Sequence, residues 1–162
     1  MILLDRREGS NDLLPLMPPW LAHLTTLPYT DAAWNGVGPG GGKVLVGVER
    51  KRISDLLGCL KDGRFVGHQL PGMLEMCGYV YLVVEGMVRP GGGGELQQFR
   101  EWRDVAGGTW VGVKVQGTAN GGTPMDWTYD AWEHHLETLR RKTPLRVILT
   151  TNPTHTARLL VS

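Results

Sequence analysis

The chain has 162 residues, 41% of them hydrophobic and 20% charged, with a net charge of +1. These values suit one soluble domain with a sizeable core and exclude a disordered chain. They also exclude a strongly basic nucleic-acid binder, so any contact with DNA must rest on local charge. No stretch approaches the ~18 apolar residues that a membrane span needs. Met1-Ile2-Leu3-Leu4 is stopped at once by Asp5 and does not read as a signal peptide. The two cysteines, Cys59 and Cys77, stand in no metal-binding spacing and read as reduced, buried thiols, as in a cytoplasmic protein.

Residues 2–5 read as a short buried strand ending in Asp5, followed by a charged turn, Asp5-Arg6-Arg7-Glu8-Gly9-Ser10. Pro18-Pro19 opens an expected short helix over 20–27, because proline suits a first helical turn. Residues 31–34 read as a brief strand, 35–42 as a glycine-rich turn, and 43–49 as a strand. Val44, Val46 and Val48 face one side of it, and Leu45, Gly47 and Glu49 face the other. The two strands form a hairpin with Asp31 on one arm and Glu49 on the other.

Ile53, Leu56, Leu57 and Leu60 recur at helical spacing, which predicts a helix over 52–61 closed by Asp62-Gly63. A second helix is expected over 64–76, interrupted at Pro71. Residues 79–85 form an apolar run of the kind buried on both faces of a sheet. Residues 126–142 read as an amphipathic helix, 145–150 as a buried strand, and 153–161 as a helix capped by Asn152 with Pro153 at its first position. Strands alternating with helices predict an α/β fold, a mixed sheet sandwiched by helices. The segment 86–124 breaks that pattern. Glycine runs at 91–94 and 117–122 flank an alternating stretch, 110–115, so it reads as an inserted β-hairpin that protrudes, with a flexible tip. The whole chain, 1–162, reads as a single domain.

Glu49 and Lys51, two apart on a strand, point to the same side of the sheet. With Asp31 they form a D…E-x-K set. Two carboxylates offer the hard oxygen ligands that Mg²⁺ or Mn²⁺ take, and a lysine beside them can steady a water or a phosphate. Such triplets also arise by chance as an ion pair at a strand end. His134-His135 lie about 100° apart on a helix and favour packing over metal binding; His23 and His155 are isolated. Gly40-Gly41-Gly42-Lys43 joins two strands and lacks the context of a phosphate-binding loop, so it is a turn. The tryptophans read as core and interface residues, except Trp102 and Trp110 in the insert, which are placed to touch DNA or a partner.

The D…E-x-K set belongs to a longer ordered pattern: Asp5-Arg6-Arg7-Glu8, then Asp31, then Glu49-Arg50-Lys51-Arg52-Ile53-Ser54-Asp55. Together these resemble the XPF/MUS/Hef family of structure-specific nucleases, with its D-x-R-E, G-D and E-R-K-x-x-x-D elements. The resemblance covers about residues 2–90 and 126–161. Thr30 replaces the family's glycine before the aspartate. Asp62-Gly63-Arg64 is similar to its G-R segment, and the glutamine that follows there is matched by His68 or Gln69. The short, glycine-rich form looks like phage or bacterial members, which implies a bacterial cell or a phage-infected host.

What the resemblance implies is a restriction-endonuclease-like fold and metal-dependent hydrolysis of DNA near a branch, flap or junction, in recombination, repair or phage genome processing. Asp31 and Glu49 would ligate Mg²⁺ or Mn²⁺, helped by the backbone carbonyl of Arg50, and Lys51 would orient the attacking water. Asp5 and Glu8 would complete the acidic shell. Arg7 and Arg50 would hold the charged network or meet phosphate. Asp55 would fix Lys51 or act through water, or simply favour the helix dipole as a first-turn acid. Arg52, Arg64 and Gln69 would contact DNA, with a solvated surface as the other reading of Arg64. The family also implies a homodimer or a partner subunit, through the apolar side of 126–142 and the last helix with Leu159 and Leu160. A non-catalytic DNA-binding or dimerisation partner is the alternative function; the retained Asp31, Glu49 and Lys51 argue against it.

Overall fold

The computed structural model describes residues 1–7, 10–63, 65–102, 105–115 and 125–162. Glu8, Arg64 and the glycine run 117–122 lie outside them. In chain order the elements are β1 (Ile2–Asp5), β2 (Ala22–Thr25), β3 (Ala32–Val37), β4 (Lys43–Arg52), α1 (Ile53–Asp62), α2 (Leu70–Met76) and β5 (Tyr79–Glu85). Next come β6 (Val88–Pro90), β7 (Leu96–Trp102), β8 (Val105–Gly112), β9 (Lys114–Val115) and β10 (Met125–Asp126). The chain then closes with α3 (Tyr129–Lys142), β11 (Arg146–Thr150) and α4 (Pro153–Val161).

Six strands form one mixed sheet in the order β11-β5-β4-β3-β1-β2. β4, β5 and β11 run parallel, while β3 is antiparallel to both β4 and β1. Helices α1 and α3 cover one face, where Leu56, Leu57, Trp132, Leu136 and Leu139 pack on Val80, Leu82 and Val84. Helix α4 covers the other, with Ala157 and Leu160 against Ile2, Leu4, Val48 and Val83. This is the helix-sheet-helix arrangement expected from the alternation of elements. No helix among the described residues is long and apolar enough to cross a membrane.

Several elements differ from the sequence expectation. Residues 20–27 are not a helix; β2 lies there and pairs in parallel with β1, from Ile2↔Ala22 to Asp5↔Thr25. The reason is tertiary: β1 would otherwise leave an unpaired edge, and only Ala22 has to be buried, so weak helical propensity loses. β4 runs to Arg52, three residues beyond the expected end, because β5 pairs with it as far as Arg52↔Glu85. The expected helix over 64–76 is a π-helical turn at Phe65–Gln69 followed by α2, whose first turn holds Pro71. α3 starts at Tyr129, capped by the Thr128 hydroxyl, since Met125–Asp126 pairs with β9 instead. α4 has the expected bounds, with Asn152 accepting the His155 N–H at 2.9 Å.

The inserted hairpin is β7–β8, and β6 extends it to three antiparallel strands. Its base does not protrude. Leu96 and Val113 are buried against the α1 and α3 core, and the Val113 N–H donates to the Leu96 carbonyl at 2.9 Å. On its outer face Arg89 stacks on Trp110 at 4.4 Å, and Phe99 meets Trp110 edge-on at 5.4 Å. Trp102 lies at the end of β7; its side chain is outside the described part. The apolar side of α3 is consumed by the chain's own core, so Leu149, Val161 and half-buried Leu159 are what the late elements leave open.

Candidate active site

The site forms where β1, β3 and β4 meet. The Ala32↔Val48 register and the Asp31 N–H to Val48 carbonyl bond, 2.8 Å, set Asp31 beside Glu49. The Asp5 N–H donates to the Asp31 carbonyl at 2.8 Å, so the end of β1 joins them. Period-two alternation sends Glu49 and Lys51 to one face of β4 and Arg50 to the other. A cleft of about 790 Å³ on the α1–α2 face takes in Asp5, Arg7, Asp31, Glu49 and Lys51. Its far wall is Tyr29, Cys59, Phe65, His68 and Gln69, the last three from the π-helical turn. Such turns recur at functional sites.

Thr30 fits without the family's glycine because a different residue is small. A Cβ built at Gly47 would stand 2.9 Å from Thr30 Cγ2 and 2.5 Å from Cys77 Sγ. Gly47, paired with Ala33 in the sheet, therefore gives the Thr30 side chain its room beside Asp31. The cleft's other side depends on Gly63, which closes α1 in the left-handed conformation, φ 68°, before the chain turns into the π-helical segment.

Burial dominates the electrostatics. Glu49 is 2% exposed, and its Oε1 lies 2.5 Å from Lys51 Nζ. Burial and then the charge of Asp31 push its carboxyl up to about 7, against the opposing pull of Lys51 and Gln69. Burial likewise raises Asp31, although the Arg50 N–H bonds its Oδ2 at 2.7 Å. Burial lowers the Lys51 ammonium, but the Glu49 carboxylate outweighs it, so Lys51 ends above its ordinary value. Asp5 differs: burial would raise it, but the guanidinium and N–H of Arg7 outweigh that and hold it low. Arg7 also donates to the Leu27 carbonyl, which pins the loop after β2.

Arg50 turns away from the cleft. Its guanidinium is bidentate to Glu85, at 2.7 and 2.9 Å, and bonds Asp12 at 2.6 and 3.0 Å. Glu85 also accepts the Thr156 hydroxyl at 2.7 Å. The guanidinium is thus part of a charged network, while only its backbone faces Asp31. Asp55 is exposed on the first turn of α1 and is not bonded to Lys51, which pairs with Glu49. Arg52 is exposed on the Arg50 face, beside Glu85, Gly86, Gln98 and Arg100 and away from Asp31 and Glu49. His134 and His135 are 6.1 Å apart, and His135 packs on Trp127; His155 Nδ1 accepts the Thr151 N–H. Asp12, Glu85 and Thr156 escaped the sequence reading. Glu85 did carry a signal, a carboxylate closing an apolar strand just as Glu49 does.

The donor set suits a hard divalent cation. Glu49 is buried and Asp31 half-buried, and desolvation first, then for Glu49 the charge of Asp31, makes both hold a proton more tightly than a free carboxyl. Mg²⁺ commonly takes one or two carboxylates and keeps several waters. Among the described residues no group of three His, Cys, Asp or Glu side chains is close enough to hold a metal, so the remaining ligands would be waters or backbone oxygens.

The ERCC4 domain family matches residues 22–162. No curated protein matches the chain. Among solved structures it is similar to XPF from Aeropyrum pernix, at 19% identity and a TM-score of 0.57. That likeness covers 98% of this chain and 60% of the other. A second structure, XPF from Aeropyrum pernix in complex with DNA, matches at 17% identity and a TM-score of 0.55, covering 99% and 60%. The chain thus shares the XPF nuclease fold and spans about three-fifths of the length of those proteins.

Proposed function

Because the chain belongs to the ERCC4 domain family, we propose that it is a divalent-metal-dependent DNA endonuclease cutting phosphodiesters near branches, flaps or junctions. The observation that carries this reading is the meeting of Asp31, Glu49 and Lys51 in one cleft, with both acids pushed toward their neutral forms. A cation there would favour the ionised form of both carboxylates. The DNA-bound XPF structure, the same fold, supports DNA as the substrate.

Asp31, Glu49 and the Arg50 carbonyl would hold Mg²⁺ or Mn²⁺, which supplies Lewis-acid activation of water and neutralises phosphate charge. In an extended residue the N–H and C=O point to the same strand edge. The Arg50 N–H that bonds Asp31 therefore puts its carbonyl on the acids' side. Lys51 is held cationic by Glu49 and orients the attacking water and a phosphate oxygen. Asp5, kept anionic by Arg7, accepts hydrogen bonds from water at the mouth of the cleft. Glu8 and Asp55 act through water. Gln69, beside Glu49, and exposed Arg7 contact the DNA backbone at the cleft and Arg64 contacts it too, whereas Arg52, on the opposite face of β4, meets DNA only beyond it. A second copy or a partner subunit packs on the open surface of α4. The working context is recombination, repair or phage genome processing.

The test is cleavage of labelled flap, splayed, four-way and linear duplex DNA with Mg²⁺ or Mn²⁺, wild type against Glu49→Ala. Cutting at branches that is lost in the variant and in chelator is the expected result. A folded wild type that binds these substrates and cuts none would instead make the chain a non-catalytic DNA-binding partner.

A further inference from the structure

Glu85 is a buried carboxylate that the cleft chemistry does not use, and its partners run in one direction, toward Arg50. The Arg50 and Glu85 side chains are 5% and 6% exposed. Thr156, wholly buried in the first turn of α4, donates to Glu85 and meets the Thr150 hydroxyl at 2.8 Å. Asp12 binds the outer edge of the same guanidinium. These contacts lie on the face of the sheet opposite the cleft. They end on a residue whose backbone N–H bonds Asp31 and whose neighbours in sequence are Glu49 and Lys51.

We propose that Glu85, supported by Thr156, is a positioning residue for the candidate metal centre, acting through the Arg50 peptide; the inference rests on the nuclease reading above. A guanidinium held by two carboxylates is confined to one rotamer. The Cα–Cβ direction of Arg50 is then fixed, and with it the peptide plane between Glu49 and Arg50. That plane aims the N–H at Asp31 Oδ2, which leaves the other Asp31 oxygen for a ligand. It also sets the angle at which Glu49 and Lys51 leave the strand on the opposite face. Supporting groups of this kind set how well ligands present themselves to a metal. Since Thr156 belongs to α4, the packing of that helix is tied to the geometry of the cleft.

The experiment compares Glu85→Gln, Thr156→Val and Thr156→Ser with wild type on two readouts. The first needs no metal: the amide proton shift of Arg50 by NMR, with Asp31→Ala marking the loss of its bond. The second is the Mn²⁺ dissociation constant by calorimetry. Glu85→Gln and Thr156→Val are expected to move the Arg50 amide toward its position in Asp31→Ala. They should also weaken Mn²⁺ binding by about 10–100-fold. Thr156→Ser, which keeps the hydroxyl, should match wild type within about twofold. Should Glu85→Gln fail to fold, the Thr156 pair still decides. Folded variants with a lower melting temperature but the wild-type amide shift and Mn²⁺ affinity overturn the inference. A wild type that binds no Mn²⁺ overturns the metal centre instead, and the amide shift then still decides whether Glu85 holds the Arg50 peptide.

Discussion

Glu49 and Lys51 carry opposite consequences for stability and for chemistry. The Glu49 carboxyl stands near 7 in the folded chain against 4.5 for the free group. A carboxyl raised in this way binds its proton more tightly folded than unfolded. Stability is therefore greatest with Glu49 protonated, falls as pH rises from 4.5 to about 7, and stays low above that. In chelator at pH 8, Glu49→Gln is expected to be more stable than wild type by about 1–3 kcal/mol, with the gap closing below pH 4.5. Denaturant melts at both pH values check this, and an equal gap at both would refute it. Lys51→Met leaves Glu49 without its cation while the rest of the cleft stays in place. We expect kcat for branched DNA to fall by about 10²-fold or more, with KM changed far less. These two residues were legible from spacing alone, because a strand's period of two is local. The partners of Arg50 were not, since Asp12 and Glu85 lie 38 and 35 residues away along the chain.

Elements bring the carboxylates together, and the β3–β4 hairpin does most of it. Gly47 admits Thr30 and Cys77 where any side chain would collide. Gly47→Ala is expected to destabilise the fold by about 1–3 kcal/mol through overpacking and to displace Asp31. Thermal melts measure the first effect. The second appears as a drop in kcat for the folded variant, and an unchanged kcat would show that Thr30 yields without moving Asp31. The hairpin was legible because alternating valines mark its second arm, β4, and glycines mark its turn. β2 was not. Its residues have modest helical propensity and an inviting proline pair, and only the open edge of β1 decides that they extend. The three-stranded sheet around β7 was half legible: alternation predicted strands, but the burial of Leu96 and Val113 against α1 depends on packing that no local pattern encodes.

At the scale of the molecule, one six-stranded sheet carries α4 on one face, packed on β1, β4 and β5, and the cleft on the other, where β1, β3 and β4 meet. Ligation at the cleft should therefore register in global stability. Binding to the folded state at 100 times the dissociation constant adds about 2.7 kcal/mol. Mn²⁺ at that excess is expected to raise the melting temperature of wild type at pH 8 and to lose the effect in EDTA. It should leave Asp31→Asn nearly unmoved. A shift of equal size in that variant would place the bound ion elsewhere.

By itself the sequence determined the alternation of buried strands and helices, the pairing of Asp31 with Glu49 and Lys51, and the family to which the chain belongs. Those are short-range matters of period, turn chemistry and ordered motif, written within a few residues of each position. Only the tertiary structure decided that 22–25 extends as an edge strand and that the insert packs down on α1. It alone turned the Arg50 side chain away from Asp31 and Glu49 and toward Asp12 and Glu85 while leaving Asp55 in solvent. Each of these depends on partners far away in the chain, whose burial and charge act only once the fold has closed.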